Sequence, residues 1–132
     1  MAKITSLKDM RPKTKTFQLH SALDKDDLLT DANDQPIMIE IVGYDSAVFR
    51  DAAIESARTE LNSEVKDTVD PMFRAEKNLR LAAACIVGWT APEVLGEYSK
   101  ERALEICLDG DLKYIVEQIQ EAISDRKSFF AN

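Results

Sequence analysis

His20 is the chain's single histidine, and Cys85 and Cys107 are its two cysteines. An imidazole doing general acid–base work needs a positioned partner. His20 falls on the outward face of an alternating stretch, where a surface role suits it better. Zinc needs Cys and His ligands at short spacing, and two cysteines 22 positions apart with one distant histidine do not supply them. The cysteines have apolar neighbours and read as reduced, buried thiols, although their number alone permits a single bridge. The acidic stretch Asp24–Gln35 invites a calcium reading. Placing Asp31, Asn33 and Gln35 at the first ligand positions of an EF-hand puts Pro36 where glycine is required and Val42 where the bidentate glutamate belongs. Starting instead at Asp24 puts Leu28 in a ligand slot. The stretch reads as a solvated acidic turn. The four glycines are scattered singly, with no phosphate-cradling loop and no G-x-S-x-G elbow. The residue types therefore point to no catalytic site, no cofactor and no metal.

The charge distribution narrows the partners. The 132-residue chain has a net charge of −7. Lys3, Lys8, Arg11, Lys13 and Lys15 against Asp9 give residues 1–15 a balance of +4, which leaves −11 for the remainder. A body this acidic suits no nucleic acid, because affinity for phosphate backbones comes from cations that release counterions. No apolar run approaches the ~18 residues of a membrane span, and the start lacks the apolar core of a secretory signal. A cytoplasmic protein is expected, with a flexible basic arm at 1–13, one domain at 14–124 and a flexible tail at 125–132.

Thr14–His20 alternates, with Thr14, Thr16, Gln18 and His20 on one face and Phe17 and Leu19, then Leu23, on the other. Pro36–Gly43 is β-branched and bounded by Pro and Gly, with Ile37, Ile39 and Ile41 on one face. The two stretches predict an antiparallel hairpin at 14–20 and 36–42, which must pack on something to be stable. Four helices are predicted, at 46–65, 71–89, 99–108 and 111–124. Asp45 or Ser46 caps the first, whose apolar stripe is Ile54, Ala57, Leu61 and Val65, with Phe49 and Ala53 beside it. Asp70 caps the second, with Pro71 at its first position. Its apolar run Leu81–Val87 predicts the centre of the core. Residues 90–98 read as a loop. Ser99 caps the third helix and Gly110 stops it; Asp111 caps the fourth, whose stripe is Leu112, Ile115, Val116, Ile119 and Ile123. The fold class is α+β, mostly α: an N-terminal β-hairpin packed on about four helices.

Four aromatics at element ends are candidate partner-binding residues, since aromatics are enriched in interface hot spots. Trp89 and Tyr98 also have a reading as core residues. Phe129 and Phe130 sit in a polar tail with no predicted element, so they either dock back on the parent fold or bind another chain.

One family resemblance lies in these patterns. Val87-Gly88-Trp89, a short loop with Gly96, Tyr98–Leu108, the break Asp109-Gly110-Asp111, the helix Leu112–Ile123 and the tail Ser128–Asn132 resemble the tail assembly chaperones of long-tailed, lambda-like bacteriophages. Phe17-Gln18-Leu19 and Pro36–Ser46 fit as well, so the resemblance spans roughly residues 14–132. The chain departs from the pattern in the break before the last helix, where Asp109-Gly110-Asp111 stands in place of the usual Pro or Asn. The resemblance implies a non-enzymatic protein of the host cytoplasm, absent from the mature virion, that coats the tape measure protein. It also implies a longer form, made by minus-one frameshifting, that recruits tail tube protein. Homo-oligomers are expected. The alternative is another phage assembly protein, such as a tail completion or head–tail connector subunit.

Overall fold

A computed structural model describes residues 3–61 and 71–130. Among them the order of elements is β1 (Lys15–Gln18), β2 (Met38–Ile41), α1 (Ala47–Leu61), α2 (Pro71–Ala84), β3 (Ile86–Trp89), α3 (Pro92–Leu95), α4 (Lys100–Leu108), α5 (Lys113–Ser124) and α6 (Arg126–Phe130). Single 3-10 turns occupy Leu7–Met10 and Gly110–Leu112. The architecture is α+β and mostly α, with an antiparallel sheet packed on helices.

The predicted hairpin forms, with Lys15 opposite Ile41 and Gln18 opposite Met38. Ile37, Ile39 and Ile41 all turn into the core as the alternation requires, whereas Leu23 is fully exposed. The expected helix at 71–89 is corrected: it stops at Ala84, and Ile86–Trp89 is a third strand antiparallel to β2, with Ile39 opposite Trp89 and Glu40 opposite Gly88. Two physical causes favour this. A β-branched pair and a tryptophan around a glycine suit a pleated surface better than a helix. A two-stranded ribbon would also leave the second edge of β2, which carries a row of backbone polar groups, without partners. Thr90 completes that edge: its N–H donates to the Met38 carbonyl at 3.0 Å, and its Oγ1 accepts the Met38 N–H at 2.9 Å.

The helices bury one stripe each, except the first. Ala82 and Ala83 of α2, Ala103, Ile106 and Cys107 of α4, and Ile115, Val116, Ile119 and Ile123 of α5 meet the isoleucines of the sheet. Ile86 is buried with them, but Leu81, expected in the core, is only half-buried. Ser46 Oγ accepts the Phe49 N–H at 3.1 Å, and Ser99 Oγ accepts the Arg102 N–H at 3.0 Å, so both predicted serine caps form. The predicted Asp111 cap of α5 does not form: Asp109 Oδ1 accepts the Asp111 N–H at 3.0 Å and caps the 3-10 turn Gly110–Leu112, from which α5 continues through Leu112. The expected loop at 90–98 contains the short helix α3, entered through Ala91 at φ 59° and left through Gly96 at φ 88°. The tail is corrected too, since Arg126–Phe130 is helical and Phe129 is buried. In the arm, Leu7–Met10 forms its turn, and the Lys13 N–H donates to the Phe129 carbonyl at 2.9 Å. Val65 and the Asp70 cap lie outside the described residues, as do residues 131–132.

Candidate partner-binding surface

The four aromatics singled out in the sequence fall into two groups. Trp89 and Tyr98 meet edge to face, with ring centroids 5.0 Å apart. The Trp89 Nε1–H donates to the Gly96 carbonyl at 2.8 Å, and the Tyr98 hydroxyl donates to the Ile86 carbonyl at 2.7 Å. Both rings are half-buried with their polar atoms committed to the fold. Together they strap the 90–99 segment along the outer edge of β3. Lys100 Nζ adds a donor 3.4 Å from the same Ile86 carbonyl, and the Arg102 guanidinium donates from Nε to the Leu95 carbonyl at 2.8 Å.

Phe129 and Phe130 lie toward the opposite edge of the sheet, where the Phe129 carbonyl accepts from Lys13. The Phe129 ring is 2% exposed and rests on Gly43. The turn that carries it is held by Lys15, whose Nζ donates to Ser128 Oγ at 2.9 Å, and by Arg126, whose Nε donates to Asp45 Oδ2 at 2.8 Å. Of the two readings given to this pair, the structure places Phe129 in the fold and leaves Phe130 43% exposed.

Gln118 carries a role that the sequence reading missed. This buried amide accepts the His20 N–H through Oε1 and donates from Nε2 to the His20 carbonyl, each at 2.9 Å. It behaves as a one-residue strand that clips α5 to the end of β1. The His20 ring is half-buried, with Nδ1 2.9 Å from the Ser21 carbonyl oxygen. In the acidic connector, Asp31 Oδ1 accepts the N–H groups of Asn33 at 2.8 Å and Gln35 at 3.0 Å. The Gln35 bond is the first cause that holds the Asp31 carboxyl below its usual range. Its acceptor capacity thus closes a turn. Among the described residues no cluster of three or more His, Cys, Asp or Glu is arranged to hold a metal ion.

A further surface feature lies along the apolar stripe predicted for the first helix. None of the residues of α1 is buried. Its packed side is Phe49, Ala52, Ala53, Ser56 and Glu60, all half-buried at helical spacing, with Glu60 Oε2 3.3 Å from Lys77 Nζ of α2. The expected stripe Ile54, Ala57 and Leu61 lies one step round the helix and faces outward, with Ile54 41% and Leu61 78% exposed. Tyr44 and Phe49 stack edge to face at 4.8 Å at the start of this face. They head a shallow groove of about 750 Å3 that continues along Arg50, Ala53, Ile54 and Ala57.

Compared with protein-family models, curated proteins and solved structures, the chain matches none. The functional reading therefore rests on the residues and on the surface just described.

Proposed function

We propose that this protein is an assembly chaperone of a long-tailed bacteriophage that holds the tape measure protein through the outward face of α1. The observation that carries the reading is a helix at the edge of the fold that buries none of its residues and presents Ile54, Ala57 and Leu61 beside an aromatic pair. A groove along one helix, lined by apolar side chains together with Asp45, Arg50 and Asp51, suits an amphipathic client helix laid into it. The sequence resemblance to tail assembly chaperones supports the same client. In this reading the acidic body keeps the complex in solution, since net charge opposes association. A frameshifted longer form then brings tail tube protein to the coated tape measure.

The test is co-expression with the tape measure protein encoded in the same phage genome. The expected result is a soluble complex that survives purification and is lost in the Ile54→Asp, Leu61→Asp double variant. An insoluble tape measure protein with no co-purifying partner, in the presence of the unsubstituted chain, overturns the reading.

A further inference from the structure

One edge of the sheet has a gap with two defined ends. β1 is an outer strand, joined to β2 on one side only. The Leu19 N–H donates to the Ile37 carbonyl at 3.0 Å, so the odd positions of the strand turn their backbone groups toward the β2 side. The even positions turn theirs away from it. His20 shows that direction, since the Gln118 side chain of α5 takes both its N–H and its carbonyl. Thr16 and Gln18, and Thr14 before them, present theirs on the same outer side. Among the described residues nothing else bonds their main-chain groups there. One end of the gap is His20, whose groups Gln118 has used. The other is Pro12, which has no N–H to give. Both ends lie four positions from Thr16.

We propose that β1 pairs antiparallel with β1 of a second copy across a two-fold axis at Thr16. The two ends of the gap select this occupant and its register. Thr16 meets Thr16 of the second copy, and Thr14 meets its Gln18. Pro12, which lacks a donor, meets the one position whose groups are already taken, His20. An unrelated strand would have to match both ends; this strand matches them by symmetry. Each outward pair of an antiparallel ladder exchanges two N–H···O bonds, so the pairing supplies about six. Threonine opposite threonine is a favourable cross-strand pair. Lys15 stands opposite Phe17 of the second copy, so no like charges meet directly. The two Lys15 are diagonal neighbours, and each ammonium is held within its own chain, 2.9 Å from Ser128 Oγ and 3.8 Å from Asp125 Oδ2. The contact is isologous and closes at two copies, joining two three-stranded sheets into one continuous sheet. An uncovered strand edge is the usual template for such pairing. No residue of α1 takes part, so the inference stands apart from the client reading.

Sedimentation velocity from micromolar to millimolar concentration tests the proposal on the full chain and a Thr16→Pro variant. Proline is tolerated on an edge strand where the N–H it removes faces outward. The Thr16 N–H is such a group, so far-UV circular dichroism should be unchanged. The full chain should rise to twice the mass of one chain and stop there, and the variant should stay monomeric. A Thr16→Cys variant keeps the strand whatever proline does to it. Directly opposed residues of a hydrogen-bonded pair have Cα atoms about 5.5 Å apart, within disulfide reach. Mild oxidation should therefore give a covalent dimer, with the buried Cys85 and Cys107 taking no part. Glu40→Cys, opposite Thr16 on β2, lies one strand further from the axis and should give none. A full chain that stays monomeric throughout, growth past two copies, a folded Thr16→Pro variant that dimerises as the full chain does, or equal cross-linking at positions 16 and 40 overturns the proposal.

Discussion

A Cβ at position 43 would lie 2.7 and 2.8 Å from two carbons of the Phe129 ring, closer than real Cβ atoms approach. Glycine stands there for space, since its backbone is not in the left-handed region. Gly43→Ala must push a fully buried ring, and the cost expected for overpacking is about 1–3 kcal/mol; chemical denaturation should show a lower midpoint. Gln118→Leu keeps volume but strands a backbone N–H and a carbonyl of His20. Each unsatisfied group costs about 1–3 kcal/mol, so the variant should lose more than Gly43→Ala, and the amide protons near residue 20 should exchange faster. The two thiols behave differently from either. Burial pushes Cys85 and Cys107 up to about 11, Cys85 against the opposing pull of Lys100. Neutral thiols are poor nucleophiles, so iodoacetamide at pH 8 should label neither until denaturant is added. In the unfolded chain a thiol ionises near pH 9, below its folded value, so the unfolded state binds fewer protons between about 9 and 11 and stability should fall as pH rises through that window. That the thiols are buried could be read from their apolar neighbours. That Gln118 reaches back to His20, 98 positions away, could not, because nothing local distinguishes it from a surface glutamine.

At the scale of elements, sequence pattern identified those with strong one-sided periodicity. The α5 stripe was legible because Ile115, Val116, Ile119 and Ile123 have no competing face, and all four are buried. Ile119→Ala should cost about 2–5 kcal/mol as a fully buried side chain removed from a packed site. The α1 stripe was legible as a stripe but not as a destination. Periodicity reports that one side of a helix is apolar; it does not say whether core or a partner covers it. The packed side turned out to be the one built from Phe49, Ala52, Ala53, Ser56 and Glu60, which looks weaker because its residues are small or polar. Leu61→Asp should therefore shift stability by no more than about 0.5 kcal/mol, the usual range for a surface change, and the contrast with Ile119→Ala in one denaturation series separates the two kinds of stripe. The strand β3 was missed for a different reason. The apolar run Leu81–Val87 satisfies a buried helix and a buried strand equally, and the deciding factor is the unpaired edge of β2, some 50 positions earlier. The final helical turn was illegible because five residues are too few to show a period.

Across the whole molecule, β2 and β3 pair across the intervening α1 and α2, and other segments meet the sheet's two outer strands. On one side the Trp89–Tyr98 strap covers β3; on the other, Gln118 and the last turn cover the ends of β1. This arrangement guards the β3 edge against pairing with other sheets and leaves the middle of β1 open. The bond from Lys13 to Phe129 has a topological consequence. It joins positions 116 apart in sequence at 2.9 Å, so the folded path from residue 13 to residue 129 is a nearly closed ring. Such rings tolerate being cut elsewhere, at exposed polar sites. Leu23, almost completely exposed before the acidic connector, marks one such site. A circular permutant that begins at Leu23, with a flexible linker carrying the chain from Phe130 to Arg11, should fold to the same helical content and melt cooperatively. Loss of the cooperative transition would show that the order of the segments, and not only their contacts, is required.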